Sequence, residues 1–474
     1  MNASNEPLLA ALRSARVTRD VVVAAGALGR VAGVVRETLG DARQVIVIAD
    51  TNTHRAAGAE IVGRLAAAVP SAEPLILDGT PRLKPRVETA ERIAAQLRDT
   101  DAVPIAVGSG VVNDLVKYAA ALCDRPYIAV PTAASMDGYA ASGAALLNGT
   151  FKQTMPCPPP VAVVADLDVL ARAPRRMASW GYGDLAGKVV AGADWILADA
   201  LGVEPIDAAA FAMVQGPLPH WLDRPQRLAE GDTAALGDLL SGLLVSGFAM
   251  QAHGNSRPAS GSDHQFSHLW EMENLAVDGE PAAHGACVGI GCVAMLALYE
   301  WLVAQPLDDD DIARAIATPP DAAALARELA AAFAGSPVEA NAIEEMRAKR
   351  TAGDRVARLR RLAAQWPALR ARLGALPTAA EMQWRLRATG GIGHPSALGI
   401  PLAKLKADHR RARLIRRRYT VLDVVEELGW LDRATDALFA PDGFWGRQSN
   451  ECATRGVAAG EVHESSSTPV QGER

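Results

Sequence analysis

The sequence predicts an α/β domain with a parallel sheet, followed by an all-helical domain. Over the first third of the 474-residue chain, short apolar runs alternate with helical segments. This alternation is typical of a parallel sheet that helices cover on both faces. After Leu167 strand-like runs nearly disappear, and alanine- and leucine-rich helical segments dominate. We therefore expect an α/β domain at 1–166, a helical domain at 167–448 and a disordered polar tail at 449–474.

Each element follows from a local pattern. Strands are predicted for the β-rich apolar runs at 44–49, 74–77, 102–107, 127–130 and 161–165. Helices between them are predicted at 53–68, 87–97 and 112–122. The main helices of the second domain are predicted at 184–198, 208–214, 236–252 and 284–303. The stretch 304–380, rich in alanine and arginine, is interpreted as further helices with solvated faces.

Composition limits the classes of function. A net charge of −6 argues against a general nucleic-acid or membrane-surface binder. The five cysteines show no CxxC spacing, so we expect neither a disulfide scaffold nor a thiolate zinc site, and a reducing, cytoplasmic setting. The N-terminus lacks a signal-peptide pattern, and no run of about 18 apolar residues predicts a membrane span.

A glycine-containing turn, VGSGVVND, joins the strand at 102–107 to the next helix. A bound phosphate needs free backbone N–H groups at a helix N-terminus and no side chains in the way. Gly108 and Gly110 supply that clearance, and Asn113 and Asp114 follow in the first helical turn. The spacing is not GxGxxG, so a nucleotide site and a tight structural turn are equal alternatives on this evidence.

One acid, Asp50, ends the strand at 44–49. It could hold the hydroxyls of an adenosine ribose, and would then favour NAD over NADP. A turn or N-cap role before Thr51 is the simpler interpretation of the residue by itself.

The stretch PTAASMDGYAASG at 131–143 follows a strand and is made mostly of small residues. It keeps one carboxylate, Asp137, and the hydroxyls of Thr132, Ser135 and Ser142. Small residues let the backbone approach a ligand closely, and loops after parallel strands are where open α/β sheets bind ligands. The pattern therefore indicates a ligand-binding loop.

The helical domain contains one acid and three histidines in distinctive settings. Asp184 is placed at the start of a helix, His264 and His268 lie at i and i+4 on another, and His284 opens a helix of small residues. One carboxylate and two imidazoles are a common ligand set for a metal that keeps a position open for substrate. No spacing rule joins these residues, so N-cap, helix-start and packing roles stay open.

Six of these stretches together resemble a known family. They are GSGVVNDLVKYAA, VPTAASMDGYAASGA, GYGDLAGKVVAGADW, RPASGSDHQFSHLWEM, HGACVGIG and RRRYTVLDVVEELG. These segments are similar to the motifs of the sn-glycerol-1-phosphate dehydrogenases, a branch of the iron-type alcohol dehydrogenase and dehydroquinate synthase-like superfamily. The resemblance extends from about Asp50 to Leu431. It implies a Rossmann-like N-terminal domain, a helical C-terminal domain and an active site in the cleft between them.

The resemblance also implies a ligand set. A divalent metal, usually zinc and sometimes nickel or iron, would be held by Asp184, His264 and His284. Substrate contacts carry over to Asp137, Asp184 and His268, and Asp137 and His268 are the expected catalytic residues.

The resemblance implies NAD or NADP as the second cofactor. The implied dinucleotide contacts are Asp50, Gly108, Gly110, Val111, Val112, Asn113, Asp114, Thr132 and Ser135. The family often has a serine four residues after the substrate aspartate, where this chain has Ala141 followed by Ser142. A contact from Ser142 would therefore be shifted by one residue.

The activity that the resemblance implies is reversible hydride transfer between NAD(P)H and dihydroxyacetone phosphate, which gives sn-glycerol 1-phosphate. The metal would act as a Lewis acid, and His268 is a candidate proton relay. Lys188, Arg257 and Lys152 are candidate partners of the substrate phosphate because they lie near the motifs. We expect a cytoplasmic homo-oligomer that binds a small phosphorylated triose and neither nucleic acid nor a membrane.

Three alternatives stay open at this point. A glycerol or polyol dehydrogenase would use the unphosphorylated substrate, and a dehydroquinate synthase-like cyclase would recycle its NAD without net turnover. A non-catalytic dinucleotide-binding regulator is the third, and the presence of every expected metal ligand argues against it.

Overall fold

A computed structural model describes residues 6–448 of the chain, except for 81, 150, 320, 337, 352 and 353. The predicted disordered tail at 449–474 lies outside the described residues. The main feature is a six-stranded sheet in the order β1-β8-β5-β4-β2-β3, in which every pairing is parallel. The pairs β6–β7 and β9–β10 are antiparallel and stand outside this sheet. The strands are β1 Asp20–Ala24, β2 Val45–Asp50, β3 Leu75–Leu77, β4 Val103–Gly108, β5 Ile128–Pro131, β6 Ala144–Asn148, β7 Phe151–Met155, β8 Ala162–Asp166, β9 Ala276–Val277 and β10 Glu280–Pro281.

The helices before residue 174 belong to the sheet region, and those after it make up the rest of the molecule. The first group is α1 Glu6–Leu12, α2 Val31–Leu39, α3 Thr51–Thr53, α4 Ala59–Ala66, α5 Val87–Arg98, α6 Gly110–Leu122 and α7 Leu167–Arg172. The second group is α8 Arg175–Ala200, α9 Ala208–Gln215, α10 Leu218–Trp221, α11 Pro225–Glu230, α12 Thr233–His253, α13 Ser262–Met272, α14 His284–Ala304, α15 Asp309–Ala317, α16 Ala322–Phe333, α17 Glu339–Thr351, α18 Arg355–Leu373, α19 Ala379–Ala388, α20 Leu402–Ala412, α21 Val421–Glu427 and α22 Leu431–Phe439. Short 3₁₀ turns lie at Ala27–Arg30, Pro395–Leu398 and Arg413–Ile415.

The parallel sheet is buried on both faces, which confirms the predicted α/β class. Side chains alternate across a strand. Val45 and Val47 of β2 accordingly join one apolar core with α2 and α4, while Ile46 and Ile48 join another with α5 and α6. The second core continues into the helical half, so the helices pack directly on one side of the sheet. The sequence analysis did not predict β1 or the β6–β7 hairpin.

Two buried helices, α8 and α14, form the centre of the helical half. They touch through glycines: a Cβ added at Gly183 would lie 2.2 Å from the carbonyl oxygen of Gly285, and one added at Gly285 would lie 1.9 Å from that of Trp180. Backbone therefore meets backbone, which only glycine permits. The expectation that Asp184 starts a helix is wrong, because α8 begins at Arg175 and runs through this contact.

Two helices of the described residues, α12 and α14, are long and apolar enough to cross a membrane by length and composition. Of their most apolar windows, 67% and 83% is buried inside the protein. Core helices of soluble proteins meet the same criterion, so the two helices are weak evidence for a membrane span.

Candidate active site

Three side chains from three helices converge beside the loop that follows β5. Asp184 comes from the middle of α8, His264 from the first turn of α13, and His284 is the first residue of α14. Their potential ligand atoms all lie within 4.8 Å of one another. His264 Nε2 is 3.6 Å from Asp184 Oδ1, and the two imidazole centroids are 5.4 Å apart. One carboxylate oxygen and two imidazole nitrogens at this spacing fit a divalent metal ion.

Two carboxylates orient the imidazoles of this cluster. His264 Nδ1 lies 2.5 Å from Asp263 Oδ2, and His284 Nδ1 lies 2.7 Å from Glu271 Oε1. When each Nδ1–H donates to its carboxylate, the lone pair of Nε2 is left free for a metal ion, which is the arrangement that metal-binding histidines usually show. Sequence reasoning did not assign a role to either acid. The signal for Glu271 was available as an acid three residues after His268, on the same helix face.

His268 lies beside this cluster. Its ring centroid is 6.0 Å from that of His264 and 5.8 Å from that of His284. Its Nδ1 is 3.4 Å from Glu271 Oε2, so Glu271 bridges two of the three histidines. Burial, and then the nearby charge of Arg416, lower the pKa of His268 to about 3, which keeps the imidazole neutral at physiological pH.

Lys188 links Asp137, in the loop at 131–143 (called the substrate loop below, after its expected role), to Asp184 of α8. Its Nζ is 2.7 Å from Asp184 Oδ1 and 2.8 Å from Asp137 Oδ2, and the side chain is fully buried. The backbone N–H of Asp137 also donates to Asp184 Oδ2 at 2.9 Å. Burial alone would lower the pKa of Lys188, but the charges of Asp137 and Asp184 outweigh that effect and raise the pKa above its ordinary value. Lys188 therefore remains an ammonium ion.

These contacts remove two of the three candidate phosphate partners. Lys188 is enclosed by carboxylates and has no exposed surface. Arg257 is also fully buried and donates to the carbonyls of Asp194 and Tyr419. Both side chains are thus engaged by protein groups, and Lys188 pairs with Asp184. Proximity in sequence does not show which way a long side chain turns. The side chain of the third candidate, Lys152, lies outside the described residues.

The predicted dinucleotide turn opens α6 at the carboxyl end of β4. Ser109, at the N-cap, makes no side-chain cap hydrogen bond, so the first N–H groups of α6 keep their positive potential. A Cβ at Gly108 would lie 2.4 Å from Val112 Cβ, so the turn requires glycine there. One at Gly110 would lie 3.1 Å from the methyl carbon of Met136 in the substrate loop. Val111 is partly buried at this turn.

Asn113 and Asp114, the next polar residues of α6, form hydrogen bonds within the protein. Asn113 is buried and accepts a long hydrogen bond from the hydroxyl of Tyr127, at 3.4 Å. Asp114 accepts hydrogen bonds from the Asn113 side chain and, at 3.1 Å, from the backbone N–H of Ala145 in β6. These contacts hold the β6–β7 hairpin against the helix.

Asp50 has the N-cap role that was its simpler interpretation. Its Oδ1 accepts hydrogen bonds from the N–H groups of Asn52 and Thr53, at 2.9 and 2.7 Å. The β2–β4 register pairs Ala49 with Val107, which puts Asp50 opposite Gly108 at the carboxyl edge of the sheet. The acid and the glycine turn are therefore neighbours, as a dinucleotide site at this edge requires.

A buried lysine that sequence reasoning missed organises the substrate loop. Lys117 Nζ donates to the carbonyl oxygens of Gly138, Ala141 and Gly143 at 2.7, 3.0 and 3.0 Å. Its signal was a lysine inside the otherwise apolar segment LVKYAA. The predicted hydroxyl residues of this loop lie in different settings: Thr132 and Ser135 are buried, whereas Ser142 is exposed.

A parallel sheet, a helical half and an acid–histidine–histidine cluster beside a glycine turn fit an enzyme that uses a metal ion and a dinucleotide. The family model described as iron-containing alcohol dehydrogenase matches residues 22–174. A relative from Bacillus licheniformis, named glycerol-1-phosphate dehydrogenase (NAD(P)⁺), is 34% identical over 277 residues, which is 58% of this chain and 69% of the relative. The chain belongs to the family of the glycerol-1-phosphate dehydrogenases, and its N-terminal part matches the iron-containing alcohol dehydrogenase model. The predicted resemblance is thereby confirmed.

Two further comparisons agree. A Bacillus velezensis relative with the same name is 36% identical over 263 residues, which is 54% of this chain and 66% of the relative. The match thus spans just under two thirds of that relative's own length. The crystal structure of glycerol dehydrogenase from Schizosaccharomyces pombe superimposes with a TM-score of 0.57 at 16% identity, over 91% of this chain and 92% of that one. At this identity the superposition shows the shared fold. The family is NAD(P)-dependent and metal-containing.

Proposed function

We propose that this protein is an NAD(P)-dependent and metal-dependent sn-glycerol-1-phosphate dehydrogenase that reduces dihydroxyacetone phosphate by hydride transfer. The observation that carries the proposal is the cluster of Asp184, His264 and His284 beside Asp137 and the β4–α6 turn. The similarity to relatives named glycerol-1-phosphate dehydrogenase supports the choice of substrate.

Asp184, His264 and His284 are the proposed ligands of one divalent metal ion, with zinc preferred and nickel or iron as the other candidates. The fit rests on the donor set and on the two carboxylates that hold the imidazole Nδ1 atoms. When bound, the metal supplies Lewis-acid polarisation of the substrate carbonyl.

Asp137 and His268 are the proposed catalytic side chains. Lys188 and the Ser246 hydroxyl both hold Asp137 Oδ2, at 2.8 and 3.2 Å, so the carboxylate is fixed in one orientation. A fixed carboxylate can accept a hydrogen bond from a substrate hydroxyl. This contact would set which face of the carbonyl group meets the nicotinamide. His268, neutral and held by Glu271, can relay the proton that the product alkoxide takes up.

The dinucleotide is proposed to lie across the carboxyl edge of the sheet. Its pyrophosphate would meet the uncapped N–H groups of α6, after Gly108 and Gly110. Asp50 would face the adenosine ribose, and Thr132, Ser135 and Ser142 line the proposed nicotinamide side. Asn113 and Asp114 would support the turn through the protein contacts described above.

The deciding experiment is a coupled assay after metal reconstitution. Each enantiomer of glycerol phosphate, glycerol and dihydroxyacetone phosphate would be tested with NAD and with NADP, and NAD(P)H absorbance would be followed. We expect turnover of sn-glycerol 1-phosphate and not of the other enantiomer. Equal or faster turnover of glycerol would favour a polyol dehydrogenase, and the absence of any net change in NAD(P)H would defeat the proposal.

A matched pair of variants tests the ligand assignment separately. His284→Ala should lower metal content and activity together. His253→Ala is the control, because His253 is also half-buried and also pairs with a carboxylate, Asp207, at 3.3 Å. Stoichiometric metal in purified His284→Ala would remove His284 from the ligand set.

We also propose a cytoplasmic homo-oligomer made of an α/β domain at 1–166 and a helical domain at 167–448. Light scattering after size exclusion would give the oligomeric state. Limited proteolysis near Asp166 would test the domain division.

A further inference from the structure

The proposed substrate carries a phosphate dianion, and this dianion needs a cation that is free to meet it. Near the cluster, Lys188 is locked between two carboxylates and Lys117 is locked on three carbonyl oxygens. Arg257 is fully buried against backbone carbonyls. The charged groups of these three side chains are all held by protein atoms, so none of the three is free to bind a ligand.

A fourth cation comes from the segment after the 3₁₀ turn Arg413–Ile415, which packs against α13. The side chain of Gln265 donates to the carbonyl oxygen of Arg418 at 3.3 Å. The guanidinium of Arg418 donates to the carbonyl oxygen of Ser260, just before α13 begins, at 2.5 Å. The segment therefore runs along α13 and reaches its N-terminal end at Arg418.

Arg416 lies two residues before Arg418 on this segment. Its backbone is extended, with φ −146° and ψ 143°, and two extended residues cover about 7 Å. His268 lies three residues after Gln265 on α13, a rise of about 4.5 Å. Arg416 is therefore about one helical turn further along α13 than Arg418. If Arg418 lies beside Gln265, Arg416 lies beside His268.

Side-chain alternation turns Arg416 towards the site. Successive side chains of an extended segment point to opposite sides. Arg417 turns towards solvent, since its side chain is 57% exposed. The guanidinium of Arg418 turns back to Ser260. Alternation along an extended segment would put Arg416 on the same side as Arg418, towards α13.

Electrostatic evidence agrees with this placement. The charge of Arg416 is the second-largest cause, after burial, of the lowered pKa of His268. Burial lowers the pKa of Arg416 itself, and Glu345 and Glu271 oppose that shift. Both acids already have partners, Glu345 in Arg417 and Glu271 in His284. Across the described ranges of the chain, the structure shows no hydrogen bond or ion pair to the guanidinium of Arg416, which is only partly buried.

We propose that Arg416 binds the phosphate group of the substrate, opposite the end of the molecule that reacts. This inference rests on the proposed function. A guanidinium offers paired N–H donors that match two phosphate oxygens, so Arg416 would select phosphorylated trioses over free ones. It would also draw the carbonyl end towards the acid–histidine–histidine cluster.

The test compares three variants in the metal-reconstituted full chain. Arg416→Ala should raise KM for dihydroxyacetone phosphate about 10–100-fold, because a charge-assisted contact is lost. Arg416→Lys should recover part of the loss. Arg417→Ala is the matched control, because it removes the same guanidinium one residue later on a side that faces Glu345 and solvent. We expect it to match the wild type within about twofold.

Two readouts separate phosphate binding from a structural role. Added guanidinium chloride should restore activity to Arg416→Ala and have no such effect on Arg417→Ala. Inorganic phosphate should compete with dihydroxyacetone phosphate in the wild type and about tenfold more weakly in Arg416→Ala. If Arg416→Ala does not fold, Arg416→Gln keeps a polar side chain without the charge and carries the same expectations.

The outcomes distinguish the two proposals. A wild-type protein that does not turn over dihydroxyacetone phosphate overturns the proposed function and this inference with it. A wild type that does, together with an unchanged KM and unchanged phosphate inhibition in Arg416→Ala, overturns this inference alone.

Discussion

Gly285 is the position where helix packing and the proposed metal site meet. A methyl group there would lie 1.9 Å from the carbonyl oxygen of Trp180, whereas real contacts of this kind are at least 3.0 Å long. The opposing atom is helix backbone, so it cannot rotate away as a side chain would. In Gly285→Ala, α8 and α14 would have to separate by about 1 Å at this point.

That separation would act directly on His284, the neighbouring residue and proposed ligand. A set of metal ligands tolerates displacements of about 0.5 Å. A displacement of His284 by about 1 Å should therefore weaken Zn²⁺ binding about 10–100-fold. Overpacking should also lower the free energy of unfolding by about 1–3 kcal/mol. Zn²⁺ affinity can be measured by competition with a chromophoric chelator, and stability by urea unfolding of the metal-free protein.

Gly289→Ala, one turn further along α14, is the matched control. Its added Cβ would meet Leu386 Cδ2 at 3.1 Å, and that methyl group belongs to a flexible side chain that can yield. We expect wild-type Zn²⁺ affinity there. The reasoning fails if folded Gly285→Ala binds Zn²⁺ within threefold of the wild type, or if both variants lose the ion equally.

Three further predictions concern buried ionisable groups. Lys188→Met leaves Asp137 and Asp184 without their shared cation, so the free energy of unfolding of metal-free protein should fall by about 3–5 kcal/mol in urea titrations; a loss below 1 kcal/mol would contradict this. Lys117→Met frees three carbonyls of the substrate loop and should speed hydrogen exchange in residues 138–143 at least tenfold, whereas unchanged protection would show that the loop holds itself. His409 is fully buried, and burial lowers its pKa to about 4. In the unfolded chain this imidazole takes up a proton near pH 6.5, whereas in the folded protein it does so only near pH 4. The free energy of unfolding should therefore fall by about 3 kcal/mol as the pH is lowered from 6.5 to 4. His409→Phe should lack that part of the pH dependence in urea unfolding, and identical slopes would refute the assignment.

Most of the parallel sheet could be predicted from sequence because its strands are buried on both faces and therefore read as continuous apolar runs. The strand β1 instead alternates between buried and more exposed positions. The β6–β7 hairpin has no comparable run, and it is held by its contact with α6 through Asp114. Elements of this kind depend on neighbours that sequence periodicity does not reveal.

The residues of the candidate site could be named from the sequence, but their places in the helices and their contacts could not. Asp184 was expected at a helix start, but α8 begins at Arg175 and contains Gly181, Gly183 and Gly187. In the structure each of these glycines faces another group too closely for a side chain, and the packing of α8 outweighs their poor helix propensity. The role of Lys117 depends on carbonyls 21 to 26 residues away, which a local pattern cannot supply. Glu271 also pairs with His284 on another helix, and only the structure shows that contact.

The strand order has a consequence for synthesis of the chain. In the parallel sheet β1 pairs with β8 and with no other strand of the described residues, so residues 20–24 must wait until residues 162–166 have been made. At about 5–20 residues per second, the ribosome needs roughly 7–30 s for the intervening stretch. Throughout that time the valine-rich DVVVA segment has no strand to join, and the emerging polypeptide has to avoid pairing with another copy of itself.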